Sequence, residues 1–274
     1  MVKIYQIDAF TRQLFGGNPA AVVPLEKWLD DKTLQAVAME NNLAETAYMV
    51  PVESGSEKCS YELRWFTPAS EVALCGHATL ATAHVLVHHL GETAEQINFL
   101  TRQSGTLTVT RLEKNQFAMS FPSIAVNESD DHDLVSAALG VTPESLYAGN
   151  YSSEEFDYVA VFSSSKQLEN LEISNTAFKA LRSRGVIVTA LSEIDDCDFV
   201  SRYFAPNFGI DEDPVTGSAH CLLAPYWAGV LGKNSLRARQ ISPRGGDLIC
   251  EVQQDRTVLT GSCVDYLQGE IRVR

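Results

Sequence analysis

Residues 64–91 read RWFTPASEVALCGHATLATAHVLVHHLG, and residues 202–232 read RYFAPNFGIDEDPVTGSAHCLLAPYWAGVLG. Each stretch opens on Arg, an aromatic, Phe, any residue and Pro, as a strand would end. Each then crosses an irregular loop, starts a helix on Gly76 or Gly217 and closes on Gly91 or Gly232. The two Gly-to-Gly spans are equal. Arg64 and Arg202 are offset by 138 positions and Gly76 and Gly217 by 141, so the second loop is three residues longer, and its extra content includes Asp211-Glu212-Asp213-Pro214. A repeat of this period is too long for a solenoid and predicts two similar domains.

Duplication gives a reason for how the helices begin. A helix usually opens on Ser, Thr, Asp or Asn, whereas here the starts are Cys75-Gly76-His77 and Thr216-Gly217-Ser218. Were two like domains to face one another about a pseudo-two-fold, their equivalent helix starts would meet at a cleft, where ligand pockets commonly lie. Each start offers unpaired N–H groups and the positive end of a helix dipole, and glycine lets a ligand approach the backbone. Gly76, Gly217, Thr216 and Ser218 are therefore expected to hold a carboxylate.

The rest of the chain narrows the class. Its 274 residues and 45% hydrophobic content are those of a globular protein of one large or two ordinary domains. The net charge of -14, without a basic cluster, sets aside nucleic acid and anionic membranes as partners. Acidic runs such as NESDDHD and SSEEFD read as solvated turns rather than metal sites. No signal peptide or membrane-spanning run is apparent, and the six cysteines form no CxxC pair, so a cytoplasmic protein with reduced thiols is expected. Strands are predicted at 2–9, 19–24, 45–50, 60–66, 96–101, 105–111, 115–121, 157–163, 185–191, 198–205, 246–253 and 257–263. Helices are predicted at 31–41, 77–89, 130–139, 174–183 and 218–230, with a linker around Pro122.

With QIDAFTRQLFGGNPAAVV near the start, NNLAETAYMV around Glu45, the two repeated segments and TVLTGSCV near the end, the chain resembles the PhzF-like isomerases, named after phenazine biosynthesis, which share the fold of diaminopimelate epimerase. The resemblance covers nearly the whole chain. It implies an α+β fold of two pseudo-symmetric domains, each a curved, barrel-like mixed sheet around a central helix. The expected domains are 1–117 and 118–274, with a strand near 263–274 returning to the first. It also implies a catalytic Glu45 supported by His77, Asp213 and Ser218, no cofactor, and a homodimer whose interface nothing in the sequence fixes.

The residues can be weighed beside that resemblance. On sequence alone Glu45 reads as a turn residue or as a cleft carboxylate, and the resemblance favours the cleft, where a desolvated carboxylate can carry a proton from one carbon to another. Asp213, before a proline, either caps a helix or has a catalytic part, orienting the substrate or serving as a second acid-base group to Glu45, and Glu212 reads as its exposed neighbour. His77, Ala81, His84 and His88 share one helical face, but His77 and His88 are about 16 Å apart along it, too far for one ion, and no metal is expected. His84 reads as a hydrogen-bonded core residue. Cys75 stands where related epimerases place the first of two catalytic thiols, while the second falls on Thr216, a poor base; a thiol role for Cys75 is the alternative, and a small buried residue the plainer reading. Asn18 is expected to reach the cleft, and Arg64 and Arg202 line either cleft or surface. The turn in SPRGGDLI, Ser242 to Ile249, reads as a hairpin. The expectation is an isomerase or epimerase of a small carboxylate-bearing metabolite, the alternatives being a thiol-dependent racemase or a non-catalytic binding protein.

Overall fold

The computed structural model describes residues 1–52 and 60–273; Cys59 lies outside the described residues. Two compact units divide the chain, Met1–Ser120 with Thr260–Arg274 as the first and Phe121–Leu259 as the second. The first runs β1 (Val2–Ala9), β2 (Asn18–Pro24), α1 (Asp31–Asn41), β3 (Glu45–Pro51), β4 (Ser60–Phe66), β5 (Glu71–Val72), α2 (Gly76–His89), β6 (Gln96–Leu100), β7 (Thr106–Arg111) and β8 (Gln116–Pro122). The second runs β9 (Asn127–Glu128), α3 (His132–Leu139), β10 (Ser145–Asn150), β11 (Phe156–Val161), α4 (Ser165–Glu169), α5 (Asn175–Phe178), β12 (Gly185–Leu191), β13 (Phe199–Ala205), β14 (Ile210–Asp213), α6 (Gly217–Leu231), β15 (Ser235–Gln240) and β16 (Gly246–Gln253). The last strand, β17 (Arg256–Ile271), returns to the first unit, where Cys263 to Ile271 pair antiparallel with β1.

Strand pairing repeats step for step. In the first unit β1–β2 is antiparallel, β2–β3 parallel, β3–β4 antiparallel, β4–β6 parallel and β6–β7 antiparallel. In the second, β10–β11, β11–β12, β12–β13, β13–β15 and β15–β16 follow in the same senses. Register then fixes which residues correspond. Thr46 faces Phe66 as Val186 faces Phe204, and Ala20 faces Glu45 as Asp157 faces Gly185. Glu45 therefore corresponds to Gly185, Ala20 to Asp157 and Trp65 to Tyr203.

Each sheet curves around its long helix because that helix is apolar on every side and has no face to give to water. Every residue of α2 from His77 to Leu86 is buried, and the helix touches β1, β2, β3 and β7. In α6 the stretch Ala219–Ala224 is buried, as are Trp227 and Ala228. Pro225 sits inside α6 and cannot donate to the Cys221 carbonyl one turn back. The Ile124 N–H takes that carbonyl at 3.0 Å instead, so the proline leaves no buried acceptor unpaired.

The repeated Arg-aromatic-Phe ends do the same work twice. Arg64 forks onto Glu71 through Nε (2.7 Å) and Nη2 (2.8 Å), with its guanidinium 5.0 Å from the Phe66 ring centre. Arg202 forks onto Glu212 at 2.7 and 2.9 Å and lies 4.8 Å from the ring centre of Phe204. Both arginines pin the loop that leads to the helix. Glu212 is thus an ion-pair partner and not the exposed neighbour expected of it.

Two sequence expectations change. The helix predicted at 174–183 shortens to Asn175–Phe178 because Asn207 Nδ2 donates to the carbonyls of Phe178 and Leu181, both at 3.0 Å, which a continuing helix would need. The strand β15 went unread because its buried positions are Leu236, Ala238 and Gln240, a period of two carried partly by a small and a polar side chain. The segment after Gln240 forms the expected hairpin, joining β15 to β16.

Candidate active site

In the first unit three functional side chains meet where β3 and α2 begin. Glu45 opens β3 and His77 is the second residue of α2; His77 Nε2 lies 3.2 Å from Glu45 Oε2, with side chains 8% and 14% exposed. Cys75 Sγ lies 3.5 Å from the other ring nitrogen, Nδ1, so the imidazole stands between thiol and carboxylate. The Glu45–His77 contact is an ion-pair contact, and neither facing atom makes a hydrogen bond to the protein. Buried groups in that condition retain their capacity to bond a ligand.

Burial sets the electrostatics of this cluster. It pushes the Cys75 thiol up to about 11, and the Glu45 carboxylate pushes the same way. Cys75 is a neutral thiol near neutral pH. Burial opposes charge on His77, but the neighbouring Cys75 and Glu45 outweigh it and hold the imidazole well above its usual range.

Backbone geometry opens the helix start. Cys75 precedes α2 in extended conformation and supplies no side-chain cap, and Thr216 precedes α6 in the same way. Asp30, by contrast, caps α1 by accepting from the Thr33 N–H. Asn18, at the start of β2, is buried, and the parallel pairing of Ala20 with Glu45 puts Asn18 on the sheet face that Glu45 occupies. The turn before it is tight: Gly17 has φ +63°, and a Cβ there would lie 2.1 Å from the Ala9 carbonyl oxygen.

The second unit treats the matching place differently. The Thr216 hydroxyl donates to Asp213 Oδ2 at 2.5 Å, and the Thr216 N–H donates to Gln240 Oε1 at 2.8 Å. Gln240 Nε2 donates in turn to the Asp213 carbonyl at 2.7 Å. Ser242 Oγ donates to the Pro214 carbonyl at 2.8 Å, so the hairpin after β15 braces the Asp213 loop. Thr216 is bound up internally. Ser218, partly exposed, follows it in the first turn of α6. His220 Nδ1–H donates to the Thr216 carbonyl at 2.8 Å, and burial lowers its imidazole to about 4.

Sequence reasoning missed Gln240, whose position at a strand end carries no motif, and the group around Asp157. Asp157 is fully buried and accepts from Tyr151 (2.8 Å) and Tyr203 (3.2 Å). Burial raises its carboxyl, against the opposing pull of Arg184. A Cβ on Gly185 would fall 2.6 Å from the Tyr203 ring. Where the first unit has a carboxylate, the second has glycine filled by a tyrosine.

The first-unit cluster suits proton chemistry better than a metal. Glu45, Cys75 and His77 offer donor atoms within 4.8 Å of one another, but a metal needs deprotonated thiol and imidazole, the forms this pocket disfavours. No described helix is long and apolar enough to cross a membrane.

The whole chain has relatives. Residues 7–269 match the PhzC-PhzF family, described as phenazine biosynthesis-like protein. An uncharacterized isomerase of Pseudomonas aeruginosa is 46% identical over 272 residues, covering 99% of both chains. A phenazine biosynthesis-like domain-containing protein of Homo sapiens is 38% identical over 287 residues, covering 98% of this chain and 99% of its own. A crystal structure of a PhzF-family phenazine biosynthesis protein from Enterococcus faecalis superposes with a TM-score of 0.90 at 42% identity, covering 99% of each chain. A more distant likeness, in fold alone, at 10% identity and a TM-score of 0.63, is to a probable proline racemase of Agrobacterium radiobacter. The chain belongs to the phenazine biosynthesis-like PhzC-PhzF family and is an isomerase of that family.

Proposed function

We propose that this isomerase moves a proton between two carbons of a small carboxylate-bearing metabolite, with Glu45 as the shuttle. The observation that carries the reading is the pair Glu45 and His77, largely out of water, whose facing atoms stand 3.2 Å apart and make no hydrogen bond to the protein. A desolvated carboxylate beside a fixed positive charge can accept a proton from carbon and return it elsewhere, and such a step needs no metal or organic cofactor. His77 supplies the compensating charge and polarises the substrate.

In this reading the helix-start N–H groups at Gly76 hold the substrate carboxylate, and Asn18 adds a polar contact from β2. In the second unit Thr216 fixes Asp213 through its hydroxyl. The neutral Cys75 thiol counts against a thiol base. Glu45→Gln keeps the shape and removes the base; turnover measured alongside ligand affinity should fall while affinity holds, and an unimpaired rate excludes the role.

A further inference from the structure

A second cluster lies at the opposite end of α2, about 18 Å along the helix from His77 to His89 at 1.5 Å per residue. Asp265 on β17 stands between two imidazoles, with Oδ2 3.2 Å from His84 Nε2 and Oδ1 2.6 Å from His89 Nε2. The three donor groups lie within 4.8 Å of one another. Both rings are held by packing: His89 lies 4.6 Å from the Tyr5 ring, and His84 is flanked by His88 at 4.4 Å and Phe117 at 6.1 Å. The β1–β17 register slips between Gln6 and Ile7, leaving Tyr266 as the extra residue of a bulge beside Asp265. Bulges re-aim neighbouring side chains.

We infer that His84, His89 and Asp265 form a binding site for a divalent transition metal of the zinc class, separate from the Glu45 cluster. Two imidazoles and one carboxylate are a recurrent ligand set for such ions and leave further positions to water. His84 is buried and rigid, whereas Asp265 is half exposed, so the site is anchored inside and reachable from outside. The end of a helix also favours a cation. His84 Nδ1 has no hydrogen-bond partner, so the site lacks the outer support that usually orients a ligating histidine. Its affinity is therefore expected to be about 10–100-fold below that of a fully supported site. The bound ion ties the last turn of α2 to β17.

Titration of the protein with Co²⁺, followed by absorption, tests this directly. The expected result is one ion per chain with visible ligand-field bands and no sulfur-to-cobalt charge transfer, together with a rise in melting temperature when Zn²⁺ is added. Asp265→Asn and the more exposed His89→Gln should each weaken binding at least about tenfold, while Cys75→Ser leaves it unchanged. His89→Gln keeps the test open should the Asp265 variant fold poorly. Absence of binding at roughly millimolar Co²⁺, or a thiolate band lost in Cys75→Ser, overturns the assignment.

Discussion

The two units share a scaffold and differ in chemistry. Each has the same order of parallel and antiparallel pairs, the same Arg–Glu fork over a phenylalanine and the same uncapped helix start. What differs lies on top of that frame. Glu45 in the first unit corresponds to Gly185 in the second, and the histidines near the two helix starts are pushed in opposite directions, His77 up and His220 down to about 4. One protein frame thus supports a facing carboxylate and imidazole in one copy and an internally bonded network in the other. The difference lies in the neighbours: His77 has Cys75 Sγ at 3.5 Å and Glu45 Oε2 at 3.2 Å, whereas His220 bonds the Thr216 carbonyl.

The comparison breaks most visibly at the carboxylate. Glu45→Gln should lower turnover about 10²–10⁴-fold with little change in ligand affinity; steady-state kinetics with a binding titration checks it. The fork comes next. Arg202→Met leaves Glu212 largely buried without its partner and frees the carbonyls of Leu168 and Leu171, so chemical denaturation should show a loss of about 3 kcal/mol. Gly185→Ala should cost about 1–3 kcal/mol, because its Cβ meets the Tyr203 ring at 2.6 Å and the Phe204 carbonyl oxygen at 2.7 Å. Glu45→Ala, at the corresponding place, should instead lower stability at neutral pH by removing a carboxylate that supports the charge on His77.

Histidine titration sharpens the contrast at a smaller scale. His77 gains its partner on folding, so its contribution to stability is full below the unfolded value near 6.5 and is lost as pH rises through its raised folded value. His220 behaves oppositely. It is buried neutral, so its contribution is full above about 6.5 and falls away as pH drops towards about 4. Imidazole resonances in NMR should show His77 charged at pH 7 and His220 neutral down to about pH 4.5. The smallest effect is expected at Cys75→Ala, where loss of a neutral thiol should change turnover by no more than about threefold.

How much of this could be read from the chain depends on whether a feature repeats. The duplicated Arg-aromatic-Phe ends and the Gly-to-Gly helices announced two similar units, and the pairing pattern bears that out. The strands β5, β9 and β14 are only two to four residues long, below what periodicity can detect, and β10 carries Gly and Asn where apolar alternation would be sought. At the site, Glu45 and His77 are 32 positions apart, and the sequence alone left Glu45 as a turn residue or a cleft group. Its closeness to His77 arises from α2 packing on β3, a tertiary fact. Asp157 and Gly185 were legible only as members of strands. Their significance appears when register shows that they stand where Ala20 and Glu45 stand in the other unit.

Isotope exchange tests the shuttle most directly. Incubating the enzyme in D₂O with a library of small carboxylic acids, and reading products by mass spectrometry, should reveal a metabolite that gains one deuterium at carbon with the wild type and none with Glu45→Gln, although the variant still binds it. Deuterium uptake at the wild-type rate in Glu45→Gln would contradict the account and move the proton transfer to another group.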